Sequence, residues 1–129
     1  MGPFLAKDVT IYDELWDVEA ASAATLKGDA AVVQDVFGFY AKDAESATEE
    51  ISFIYRCRQV QADKKVGTGE AILAGDRLYY IVADGKVSPT ASGTPGTDSY
   101  FCGWAKKDAG ALETTVLMNF DGTRYNETL

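Results

Sequence analysis

The sequence predicts a mainly β protein, a small β-barrel or β-sandwich built from two similar halves over residues 26–129, led in by an N-terminal arm over residues 1–25. Three observations carry that prediction. Short runs enriched in β-branched and aromatic residues recur along the chain from Ala30 onward, each bounded by Gly, Asp, Lys or Pro. Two of the runs open on the same Gly-Asp step, LKGDAAVV at Leu26–Val33 and LAGDRLYYIV at Leu73–Val82. Each of these is followed, in the same order, by a second matching stretch: VFGFYAKDAESATEEISFI from Val36 and YFCGWAKKDAGALETTVLM from Tyr100.

The arm differs in composition from the rest of the chain. Between Lys7 and Glu19 it carries Asp8, Asp13, Glu14, Asp17 and Glu19 against one lysine, a net charge of −4. Ile11, Leu15 and Val18 could line one face of a short helix, while Val9 and Ile11 equally suit a strand, so periodicity leaves both open. The Ala/Ser-rich AASAAT beyond it reads as a hinge or a short helical end, and the compact domain starts near Leu26. Strands are then expected in AAVVQDVFGFYA, EISFIYRCRQV, RLYYIVA, SYFCGWA and ETTVLMNF. Asp84-Gly85 predicts a two-residue hairpin turn, because type I′ geometry needs positive φ at both central positions. SPTASGTPGTDS, with its prolines, glycines and hydroxyls, reads as a mobile surface loop.

The matching stretches pair at particular residues, with a longer spacing between them in the second half, where the hairpin and the Pro/Gly loop are inserted. Gly38, Phe39, Lys42, Asp43 and Glu50 pair with Gly103, Trp104, Lys106 or Lys107, Asp108 and Glu113. In each half a Gly-Asp turn opens a strand, a glycine lets another backbone approach closely, and a Lys-Asp-Ala turn leads to the outgoing strand. Packed together, two such units leave neither sheet face wet.

Composition narrows function by exclusion. The chain has 129 residues, enough for one domain that buries about two-thirds of its unfolded surface without a disulfide or metal. Twenty acidic against twelve basic side chains give a net charge of −8, which opposes binding to nucleic acid or an anionic membrane surface. No apolar run approaches the roughly 20 residues that span a bilayer. With no histidine, imidazole-based triads and HExxH zinc sites are absent. Cys57 and Cys102 lie in strand-like apolar sequence without CxxC spacing, which suits two buried thiols, with a disulfide between them as the alternative. No basic and apolar leader opens the chain, so synthesis in a reducing cytoplasm is expected.

The remaining constellations carry little chemistry. Asp13, Glu14 and Asp17 would share a face only on a helix, and Glu49 and Glu50 would point to opposite faces of a strand. There is no DxDxDG loop for calcium, and GTGEAILAGDR lacks the ending of a phosphate-binding loop. Neither a metal nor a cofactor is expected, and no acid/base pair supports an enzyme. Aromatic side chains are the other candidates: of the adjacent Tyr79 and Tyr80 one faces outward, and Tyr80 and Trp104 are candidate interface residues or, on a second reading, a stacking platform for a carbohydrate.

From about Leu26 to Gly122 the chain resembles the small decoration, or cement, proteins of tailed-phage capsids. The likeness is carried by the LKGD opening strand, EISFIYRCRQV, the AILAGDRLYYIVADGKVSPTASG core and the closing FCGWAKKDAGALETTVLMNFDG, about three-quarters of the chain. The resemblance implies a non-catalytic structural role on the outer surface of the virion, as a homotrimer that clamps neighbouring major capsid protein subunits. On that reading the arm contacts the shell or a neighbouring protomer, with Phe4, Leu5, Ile11, Tyr12 and Trp16 as apolar anchors that order on contact. Deleting residues 1–20 is then expected to abolish decoration and leave the domain folded. The alternative for the same residues is a terminal strand or helix packed on the chain's own core. A virion-displayed carbohydrate-binding β module is the second functional expectation.

Overall fold

A computed structural model of the chain describes residues 3–6, 12–19, 28–33, 36–40 and 50–126. The described residues form nine strands: β1 (Phe4–Ala6), β2 (Tyr12–Glu19), β3 (Ala30–Val33), β4 (Val36–Tyr40), β5 (Glu50–Asp63), β6 (Arg77–Ile81), β7 (Lys86–Ser88), β8 (Ser99–Ala105) and β9 (Thr115–Asp121). They lie in one antiparallel sheet with the path β3-β4-β5-β9-β8-β6-β7, and β1 and β2 also pair with β5. The sheet curls into a half-barrel. Its far end returns to β5, where Lys64 and Val87 form a bridge and the Lys65 amide donates to the Val87 carbonyl at 2.9 Å.

The long strand β5 is the hub. Cys57 pairs with both Tyr12 and Phe120, which needs both of its edges, so β2 and β9 flank it on opposite sides. β4 meets β5 at Phe53–Ile54 and β9 meets it from Arg56 to Asp63. The two strands meet at Gly122, whose amide donates to Tyr55 and whose carbonyl accepts from Phe37. A Cβ at Gly122 would overlap the Phe37 carbonyl, so only glycine allows this junction.

The two halves have the same construction. Gly28 and Gly75 both take positive φ, 86° and 92°, ahead of β3 and β6. The Gly28 amide donates to Tyr40 and the Tyr40 amide to Asp29; the Gly75 amide donates to Ala105 and the Ala105 amide to Asp76. Ala31 lies opposite Gly38 as Leu78 lies opposite Gly103. The outgoing strands agree as well: Tyr40 faces Phe53 and Ala105 faces Met118. At both Gly38 and Gly103 a Cβ would strike the next strand's carbonyl, that of Ile54 or Asn119. This register makes Thr115 the counterpart of Glu50, two residues on from the Glu113 that sequence alignment selects. Lys42, Asp43 and Glu49 lie outside the described residues.

Two expectations about turns change. The β6–β7 hairpin forms, but Ile81 pairs with Lys86, so four residues, Val82–Gly85, make the loop. The Ile81 carbonyl accepts from the Asp84 and Gly85 amides, and the Val82 amide leaves the hairpin to donate to Asp98 at 3.1 Å. The Pro/Gly-rich loop is folded on itself: Asp98 Oδ2 accepts from the Thr94 amide at 2.8 Å, and the Thr97 and Asp98 amides donate back to the Thr94 carbonyl. Its Ala91 packs against the cluster of Tyr79, Ile81 and Phe101 on the outer face of β6 and β8.

The main core lies inside the curl. Val116, Met118 and Phe120 alternate inward along β9, and with Ile54, Val60, Leu78, Val87 and both cysteines they form one cluster. Phe4 sits at its centre, fully buried, with ring centroids 5.0–6.1 Å from Phe37, Phe39, Tyr80 and Phe120. The first segment therefore supplies core as well as sequence ahead of the domain. Its described stretches are strands: β1 pairs with Val60–Ala62 and β2 with Glu50–Cys57.

Candidate functional site

The five arm residues named from sequence fall into three groups. Phe4, expected as an apolar anchor for the shell or a neighbouring protomer, is buried in the core of its own chain, because its ring packs against aromatic side chains of β4, β6 and β9. Leu5 lies in β1 and Tyr12 and Trp16 in β2, where only their backbone pairing with β5 is described. Ile11 lies outside the described residues.

Tyr80 is half-buried at one end of the curl, against Phe4 and Phe37 and stacked with Tyr100 at 6.4 Å. Tyr100 in turn stacks on Phe37 at 4.8 Å and meets Tyr125. Burial, then the Asp29 carboxylate, then Tyr100 raise the Tyr80 phenol above its ordinary range, so it is a neutral hydroxyl at physiological pH. Trp104 is half-buried on the outer face, edge-on to Phe101, with the Arg124 guanidinium 6.0 Å from its ring. Both rings are tied into packing on at least one side.

Cys57 and Cys102 are both buried thiols, not joined in a disulfide. The Cys102 thiol donates to the Leu78 carbonyl at 3.4 Å, and burial pushes it far above the ordinary thiol range, which leaves it protonated and unreactive. Among the described residues no three His, Cys, Asp or Glu side chains come together as metal ligands. A shallow cavity of about 190 Å³ is lined by Lys65, Val66, Asp84 and Lys86, with Lys65 and Asp84 paired at 3.2 Å.

One group escaped the sequence reading. Lys64 is fully buried, and its ammonium donates to the carbonyls of Lys65, Gly110 and Glu113 at 2.7, 3.1 and 3.2 Å. It holds the loop between β8 and β9 against the loop between β5 and β6. Those loops are further joined by the Gly67 amide to Ala111, by reciprocal bonds between Ile72 and Ala109, and by the Ala74 amide to Asp108 Oδ1 at 2.8 Å. In a charged stretch, ADKKVG, such a lysine reads as solvated. The signal was its phase: Val60 and Ala62 are alternate residues on the buried face of β5, and Lys64, just beyond the strand's end, continues the same alternation and is buried too.

Four aspartates likewise fix loops through backbone amides. Asp76 accepts from the Leu73 amide, Asp98 from Thr94, Asp108 from Ala74 and Asp121 from Thr123. Compared with known proteins, the chain matches no family model, no curated protein and no solved structure.

Proposed function

We propose that this chain is a non-catalytic virion structural protein, made in the host cytoplasm, that decorates the outer surface of a mature phage capsid as a homotrimer and stabilises it by binding across major capsid protein subunits. The observation that carries the reading is the use to which the resembling residues are put. Gly75 and Asp76 turn the chain into β6, Gly103 admits the neighbouring strand, and Asp108 fastens the loop before β9 to the loop before β6. Such residues make a rigid body rather than a reacting centre. A ligand that binds the mature lattice and not its precursor stabilises the mature state by mass action, and three linked contacts raise the effective concentration of each.

The position of Phe4 changes how the reading must be tested. Removal of residues 1–20 would take out a core side chain and two strands paired with β5, so lost decoration would report lost folding. The full-length protein should instead be mixed with expanded heads assembled from the capsid protein of the same genome. Co-sedimentation at saturable stoichiometry and a higher melting temperature of the heads are expected. Heads that melt unchanged and sediment without the protein would remove the proposal.

A further inference from the structure

The two loops fastened by Lys64 are balanced in charge and, among the described residues, hold the two most exposed large apolar side chains. Residues 64–76 carry Lys64, Lys65, Glu70 and Asp76, and residues 106–114 carry Lys106, Lys107, Asp108 and Glu113, so their charges cancel and the net −8 of the chain lies wholly outside them. The same loops display Leu112 at 82% exposure, Leu73 at 63% and Val66 at 49%. Scattered apolar side chains on a surface are ordinary. Here Leu73 and Leu112 lie on two loops whose backbones are bonded to each other and held by a buried ammonium, a platform with little ordering entropy left to lose on contact.

We infer that this platform is a contact surface for a second copy of the same chain. The charge distribution selects that occupant. Two copies that each carry −8 repel wherever acidic surfaces meet, and the contact that costs least is the one formed between patches of zero net charge. Apolar burial of Leu112 and Leu73 then supplies the attraction, with the same patch from each copy meeting around a symmetry axis. The surface goes beyond the decoration reading and deepens only its expectation of self-association.

Sedimentation equilibrium of the full-length protein tests it, across concentration and at about 50 and 500 mM salt. The wild type should exceed monomer mass, and its association should hold or strengthen as salt screens the repulsion. Leu112→Glu together with Leu73→Glu should raise the dissociation constant at least about tenfold, while Val32→Glu, on the exposed side of β3, should leave it unchanged. Leu112→Gln serves as the milder variant, with unchanged circular dichroism and melting as the check on folding. A monomer at every concentration, association that weakens with salt, or folded loop variants that associate like the wild type would overturn the inference. Self-association without binding to heads would leave it standing and remove the capsid-decoration proposal.

Discussion

Phe4 is the residue whose position alters the most. It lies in a short apolar run beside Leu5, ahead of an acidic stretch, and its surroundings in sequence suit an exposed anchor. Yet the ring is enclosed by four aromatic neighbours, two of them edge-on, Phe37 and Phe120. Phe4→Ala should cost about 3–5 kcal/mol, read as a lower urea midpoint with an unchanged slope, because the cavity it leaves is lined by rings held in three different strands. An anchor exposed to solvent would show a change within about 0.5 kcal/mol. Lys64 makes the converse point. A charge can occupy an inward position when backbone carbonyls replace its water, and here three of them do.

At the scale of elements, the repeat is the organising fact, and much of it was legible. The Gly-Asp steps mark strand openings because each glycine takes a left-handed conformation that lets its amide reach back to the partner strand. The interior glycines mark close approach. These two uses of glycine make different predictions. A Cβ at Gly75 meets nothing, so Gly75→Ala pays only for its positive φ, about 1–2 kcal/mol. Gly103→Ala combines a φ of 139° with overlap of the Asn119 carbonyl and should cost about 3 kcal/mol or more. Thermal melts of the two variants would check the ranking, and equal shifts would refute the assignment of roles. The hairpin loop was legible as a turn but not in length, since the Val82 amide answers to Asp98, a residue distant in sequence.

For the whole molecule, burial of groups that must stay neutral sets a limit at alkaline pH. The folded state raises the pKa of both Cys102 and Tyr80, so the stability they contribute is fully present below their unfolded values, about 8.5 for a thiol and about 10 for a phenol. It is lost as pH rises beyond those values, because the unfolded chain releases protons that the folded one retains. Urea midpoints should therefore stay level from neutrality to about pH 8 and fall above it, with Cys102→Ala flattening the first part of the fall. A midpoint that rises between about pH 8.5 and 10 would contradict the burial of both groups.

The sequence by itself determined the class of fold, the repeat and the strand-bearing runs from Ala30 onward, because β alternation, Gly-Asp openings and glycine spacing are local signals that need no partner to be read, while it left the first segment open between helix and strand. It also determined the absence of imidazole chemistry and the excess of negative charge. Tertiary structure alone decided that β5 is the hub, that Phe4 belongs to the core, that Lys64 is buried and that the charge-balanced loops stand together with Leu73 and Leu112 exposed. Those outcomes depend on which strands meet across long sequence separations. The reason is geometric: a residue's own neighbours fix its phase along a strand, but only the curl of the sheet settles which phase is inside.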